Sequence, residues 1–281
     1  MSLSIQFNKR MQSREMSVID HLEALRGHIV RSLFAIVLMG VLIFIYRDWV
    51  FDNIITGPIN ADFVTYTAMC RFGHWAHMGN ALCMPPVKID MQSTTFGGQF
   101  MSTISMSFIG GFIIAFPYIF WEFWRFVKPA LKEKELKGTK NVIGWVSFFF
   151  FTGTAFGYLL LAPFTFNFLS GFQLGIKGVL VTRPTLTDYL DNLSNIMLGC
   201  GLAFELPVLA YVLTRIGLIN PTYLRKIRKY AIVVLLIVAA VITPSPDWMS
   251  QMIVFTPLCI LYELSIAVAA NALKKSRQTE D

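Results

Sequence analysis

The sequence is poor in charge. Asp, Glu, Lys and Arg make up only 15% of it, against 55% apolar and 14% aromatic residues. That balance excludes an ordinary soluble domain, where about a quarter of residues are charged. Histidine is scarcer still: His21, His28, His74 and His77 are the only four, and all lie outside the long apolar runs. An intramembrane metalloprotease needs two histidines one helical turn apart with an acid, and no such set exists. A Gly-x-Ser-x-Gly nucleophile turn is missing, as is a glycine-rich phosphate loop ending in lysine. No catalytic group, cofactor or metal is expected, and the chain is not read as an enzyme.

Cysteines number four. Cys200 and Cys259 sit inside apolar runs and are expected to be small packing residues. Cys70 and Cys83 flank His74 and His77, but their spacing matches no common zinc pattern. A disulfide between Cys70 and Cys83 in an oxidising compartment is the favoured reading, with free thiols and a metal cluster as alternatives. Residues 1–20 are polar and mixed in charge, without the apolar core of a cleaved signal peptide, so the first apolar run is expected to stay in the protein. Internal repeats and low-complexity tracts are absent. The net charge of +7 does not point to nucleic acid, because the basic residues lie between apolar runs and form no continuous patch.

What the sequence has is six apolar segments. They run from about Ile29 to Tyr46, Phe100 to Trp121, Val142 to Phe164, Ile196 to Leu213, Ala231 to Ile242 and Met252 to Leu273. Crossing a bilayer takes roughly 17–25 apolar residues as a helix. All but the fifth segment reach that length. The fifth is bounded by Lys229 and Pro244, so it is either re-entrant or spans a locally thinned bilayer. Six crossings place 19 lysines and arginines on the side of both termini and 5 on the other. By the positive-inside rule both termini are cytoplasmic.

The fold expected is an all-α integral membrane protein of six transmembrane helices, both termini cytoplasmic, with the last two helices short. Residues 1–281 form a single transmembrane domain. Within it, 1–28 is a cytoplasmic amphipathic segment, 48–99 a long periplasmic loop and 274–281 a cytoplasmic tail. Pro117, Pro207 and Pro257 predict kinks. Gly153 and Gly157, four residues apart, predict a close helix contact, within the chain or with a partner.

Acids inside apolar segments demand a reason, since a charge at the bilayer centre costs at least about 2.5 kcal/mol. Glu205 and Glu263 are both expected to face the bundle interior or a wet cavity, as a hydrogen-bonded carboxyl or in a polar path. Glu122, at the inner boundary, is expected to snorkel to water. The turnaround from Phe123 to Lys137 places Glu133 and Glu135 among five lysines and arginines, beside Phe126, Pro129 and Leu131. Membrane orientation alone needs only the positive charges. The carboxylates suggest a site for a cationic partner with an apolar face, unless the run merely balances itself in water. In the tail, Leu22, Leu25 and Ile29 share one helical face, a lead-in able to meet this acidic loop.

These residues resemble the TatC family, the core receptor of the twin-arginine protein translocase. His21-Leu22 with Leu25-Arg26 is similar to its N-terminal box, and Trp124, Phe126, Pro129-Ala130-Leu131 and Glu135 to its first cytoplasmic loop. Phe204-Glu205 with Pro207-Val208 resembles its fourth-helix motif. Leu224-Arg225-Lys226, then Thr243-Pro244 through Asp247 with Ser250-Gln251, complete the order. Two features depart from the pattern. Ala24 stands where the box usually has an acid, with Glu23 one residue earlier and so turned by about 100° on a helix. The first outer loop around Cys70 to Cys83 is longer than the family needs.

The resemblance implies a receptor that binds twin-arginine signal peptides of folded proteins and nucleates a translocase driven by the proton-motive force. Glu135, Leu22, Arg26, Phe126, Pro129 and Leu131 would bind the signal peptide. Glu205, Gln251, Asp247, Tyr158 and Pro58 would make polar or partner contacts in the membrane. The implied partners are TatA/TatB-type single-span proteins, signal peptides, the lipid bilayer and further copies in a receptor complex, and the location is the bacterial inner membrane. The rival function is a proton-coupled solute transporter using Glu205 and Glu263, although the duplicated halves usual for that class are not evident.

Overall fold

Lipid offers no hydrogen bonds, so a long apolar run must satisfy its backbone within itself, as a helix. The computed structural model describes residues 18–60, 62–75, 77, 79–80, 83, 90–130, 141–172, 183–244 and 248–277, with the side chains of 18–22, 130 and 275–277 outside the description. Among these residues the secondary structure is helical, apart from one isolated bridge between Gln92 and Thr185.

The order is α1 (Val18–Ile45), a short α2 (Arg47–Val50), a π turn at Phe51–Ile55, a 3-10 turn at Gly57–Ile59, and α3 (Val64–Trp75). Then come α4 (Gly98–Val127), α5 (Val142–Phe156), a π turn at Gly157–Leu161 and α6 (Ala162–Gly171). The chain continues through α7 (Leu186–Ala203), α8 (Leu206–Arg215), α9 (Pro221–Lys226), α10 (Arg228–Ile242) and α11 (Trp248–Arg277). Five stretches are long and apolar enough to cross a membrane: Glu23–Ile45, Gly98–Val127, Val142–Gly171, Leu186–Arg215 and Trp248–Lys274.

The fifth apolar segment is short. At 15 residues α10 is about 22 Å long, less than the roughly 30 Å of a hydrocarbon core. The last helix is not: α11 has 30 residues, because Pro257 sits inside it without ending it. The fourth segment also differs from expectation. It starts earlier, where Thr185 caps α7 in a reciprocal capping box with Asp188. It then breaks at Phe204-Glu205, leaving Pro207 in the first turn of α8, where its missing N–H costs nothing.

Helix α1 lies along α4, α5 packs on α7, and α8 and α10 both pack on α11. Two small-residue contacts set the spacing. A Cβ on Gly111 would stand 2.7 Å from the Gly40 nitrogen and the Ile36 oxygen of α1. One on Gly153 would stand 2.5 Å from the Cys200 oxygen, and one on Gly157 2.9 Å from that of Ile196. Gly153 and Gly157 thus serve packing on α7 within this chain.

Candidate functional site

One end of the α1–α4 pair gathers charge. On α1, His28 and Arg31 are three residues apart and share a face; on α4, Tyr118, Glu122 and Arg125 recur at helical spacing. The two faces meet at Glu122, whose side chain is only 1% exposed. His28 Nδ1 lies 2.5 Å from Glu122 Oε2, and Arg31 Nη1 lies 3.6 Å from the same oxygen. Arg125 Nη1 and the Tyr118 hydroxyl donate to Oε1 at 3.2 and 3.3 Å. Arg125 also lies over the Trp121 ring at 4.9 Å.

Glu122 therefore does not snorkel. A histidine and two arginines surround it where it stands, and the arginines, Arg31 and Arg125, are about half exposed and can keep contact with water. A buried carboxylate needs such neighbours, because desolvation otherwise outweighs what one pair returns. The sequence reading missed this cluster. Its signal is weak, since His28 and Glu122 are 94 residues apart.

The cluster places the candidate recognition residues. His28 meets the Phe126 ring edge-on at 6.0 Å between centroids, and Phe126 lies one turn beyond Glu122. Arg26 is exposed on α1, and Pro129 is exposed in the 3-10 turn Lys128–Ala130 that ends α4. The contact between this part of α1 and the end of α4 is made by His28, two residues past Arg26. Glu135 and Leu131 lie outside the described residues, as does the side chain of Leu22.

The second group of predicted residues is dispersed. Glu205 is half-buried at the α7–α8 break, and its Oε1 is buried without a hydrogen-bond partner among the described residues. A cavity of about 430 Å³ lies beside its neighbours Ala203 and Leu206, walled on the far side by Val234, Val238 and Val241 of α10. It is apolar. Gln251 Nε2 donates to the Leu236 oxygen at 3.3 Å, tying α11 to α10. Tyr158 donates to the Ile54 oxygen at 2.5 Å, and buried Pro58 accepts from Tyr66 at 2.7 Å. Tyr158 and Pro58 share the cap at the opposite end of the molecule. Burial pushes the Tyr66 hydroxyl up to about 12, so it stays a donor. Asp247 lies outside the described residues.

Glu263 departs from expectation. Its side chain is 55% exposed and pairs with Arg228 Nη2 at 2.7 Å, so it is not buried in the bundle interior. Its partner comes from α10, which reaches this part of α11 where Glu263 leaves the packed face. Cys70 and Cys83 are joined in a disulfide, which leaves neither thiolate free as a ligand for a metal beside His74. His74 instead hydrogen-bonds Asn80 at 2.9 Å.

Comparison with known proteins bears on this arrangement. The family model "Sec-independent protein translocase protein (TatC)" matches residues 20–257. A Sec-independent protein translocase protein TatC of Blattabacterium sp. subsp. Periplaneta americana is 36% identical over 94% of this chain and 98% of its own length. One from Carboxydothermus hydrogenoformans is 34% identical over 92% and 95%. Among solved structures, a crystal structure of the twin arginine translocase receptor TatC superposes with a TM-score of 0.66 at 29% identity, covering 90% of this chain and 99% of that one.

Proposed function

Because the chain belongs to the TatC family of Sec-independent protein translocase proteins, we propose that it is the core receptor of a twin-arginine translocase. The observation that supports the reading is the contact of His28, two residues past the N-terminal box, with both Glu122 and Phe126 near the end of α4. Arg26, Phe126 and Pro129 are the proposed peptide contacts among the described residues, and Glu135, Leu131 and Leu22 are proposed from the sequence motifs alone.

The recognition chemistry follows from the arginine fork. A guanidinium pairs with a carboxylate through two parallel bonds, which lysine cannot reproduce. Fully exposed pairs contribute only about 0–1 kcal/mol, too little for discrimination. Partial burial of such a pair, with Phe126, Pro129 and Leu131 as the proposed apolar neighbours, would raise each charge-assisted bond toward roughly 1.5–3 kcal/mol. Surplus lysines nearby repel other cations.

The count of 19 basic residues against 5 supports six crossings, cytoplasmic termini and an inner-membrane location, with α10 as the short fifth crossing. Single-span TatA/TatB-type proteins are the proposed membrane partners, with Glu205 as a contact. A proton-coupled solute transporter is disfavoured, because Glu263 is exposed and paired. Glu135→Gln is expected to abolish photocrosslinking of a twin-arginine peptide while membrane insertion of the protein is unchanged. Undiminished crosslinking would refute the assignment.

A further inference from the structure

Helix α3, in the long loop between the first two spans, divides its surface three ways. At about 100° per residue, Thr65, Tyr66, Met69 and Gly73 fall on one side. Thr65, Tyr66 and Gly73 are buried there. The exposed remainder splits into two flanks. Val64, Ala68, Phe72 and Trp75 occupy one arc of about 80°, with Phe72 53% and Trp75 76% exposed. Thr67, Arg71 and His74 occupy the neighbouring arc and are exposed too.

The level of the helix is fixed by its anchors. Thr65 Oγ1 donates to the Leu159 oxygen, and Phe63 meets Tyr158 edge-on at 5.5 Å between centroids. Leu159 stands about 25 Å along the third span from Val142, near the far edge of a hydrocarbon core roughly 30 Å thick. Tyr46 stands about as far along the first span from Ile29, and Tyr46 and Trp49 are both exposed there. Exposed Phe100 opens the second span. Aromatic side chains at that depth form the belt that membrane proteins place at the lipid–water interface.

We propose that α3 is an interfacial helix, lying on the outer leaflet with Val64, Phe72 and Trp75 in the headgroup and upper acyl region. Arg71, on the adjoining flank, pairs with lipid phosphate while its stem stays at the apolar boundary. Thr67 and His74 face water. A helix with one flank apolar and the next polar takes this position because each flank then meets the medium it matches. Lipid is the occupant because Thr65 and Phe63 anchor the start of α3 at the level of the exposed aromatics Tyr46, Trp49 and Phe100, where the bilayer's interface lies. The disulfide from Cys70 to Cys83 ties the following turn back to the helix.

The test uses the full chain in nanodiscs, with phosphatidylcholine that is plain or carries bromines at carbons 6 and 7 of one acyl chain. Trp75 emission is taken as wild type minus Trp75→Phe, which keeps an aromatic ring at the site. Brominated lipid is expected to lower that component at least twofold, and aqueous iodide to leave it nearly unchanged. In the Trp75→Phe background, Phe72→Trp must add a component quenched by bromine, and Thr67→Trp one quenched by iodide. Quenching of the Trp75 component by iodide alone would overturn the proposal, showing that the flank faces water. Quenching by neither agent would overturn it as well, showing that a protein surface covers it.

Discussion

Glu122 decides the geometry of one end of the molecule. Its two carboxylate oxygens are shared among His28, Arg31, Arg125 and Tyr118, so replacing it removes one acid and strands several donors. The arginines can turn toward water, but His28 is only 17% exposed. For Glu122→Leu the cost should therefore sit near the lower end of the roughly 3–5 kcal/mol seen when a buried ion pair loses one partner. Glu122→Gln keeps an acceptor and should cost about 1–3 kcal/mol. Thermal denaturation of the full chain in detergent checks both. Equal midpoints for Glu122→Leu and the parent would show that the cluster does not hold the helices together.

The same residue shows what the sequence hides. An acid at the end of an apolar run invites the expectation that it reaches water, because the adjoining sequence shows only Arg125 and Tyr118 of the groups that surround it. His28 and Arg31 come from a helix more than 90 positions earlier, and only the fold brings them over. Glu263 errs in the opposite sense. An apolar surrounding in sequence implied burial, but it is exposed on α11 and paired with Arg228 across from α10. The side-chain environment of an acid is set by neighbouring helices, which a one-dimensional pattern does not contain.

Elements were more legible than sites. Apolar length alone located the spans, and the bounding Lys229 and Pro244 marked α10 as short. The early start of α7 was missed, because Asp188 and Asp191 interrupt the hydropathy although Thr185 caps a helix there. Helix α3 was missed for a related reason: its buried residues recur at helical spacing, but a twelve-residue run rich in polar residues reads as loop. Spacing between helices depends on glycine. Gly111→Val would force its branched side chain into the α1 backbone at Gly40 and Ile36, so a loss of about 1–3 kcal/mol is expected. Gly144→Ala, with nothing within 4 Å, is the matched control and should be neutral or stabilising by up to about 1 kcal/mol. Thermal midpoints of the two variants should move in opposite directions or differ clearly; identical shifts would contradict the close contact.

At the scale of the whole molecule, five stretches among the described residues are long and apolar enough to cross a membrane, and α10 is shorter than any of them. As the proposed fifth crossing, α10, at about 22 Å, falls short of a hydrocarbon core of roughly 30 Å, and a short span is accommodated by thinning of the bilayer beside it. Headgroup density mapped around the protein in nanodiscs should come closer together beside α10 than beside α4. Uniform thickness around the perimeter would contradict local thinning. A receptor of the proposed kind distinguishes paired guanidinium groups from positive charge in general. The most direct measurement is the affinity of the full chain in nanodiscs for a twin-arginine signal peptide and for the same peptide with both arginines changed to lysine. At roughly 1.5–3 kcal/mol per charge-assisted bond, loss of even one should weaken binding about tenfold or more. Equal affinity for the two peptides would contradict the claim.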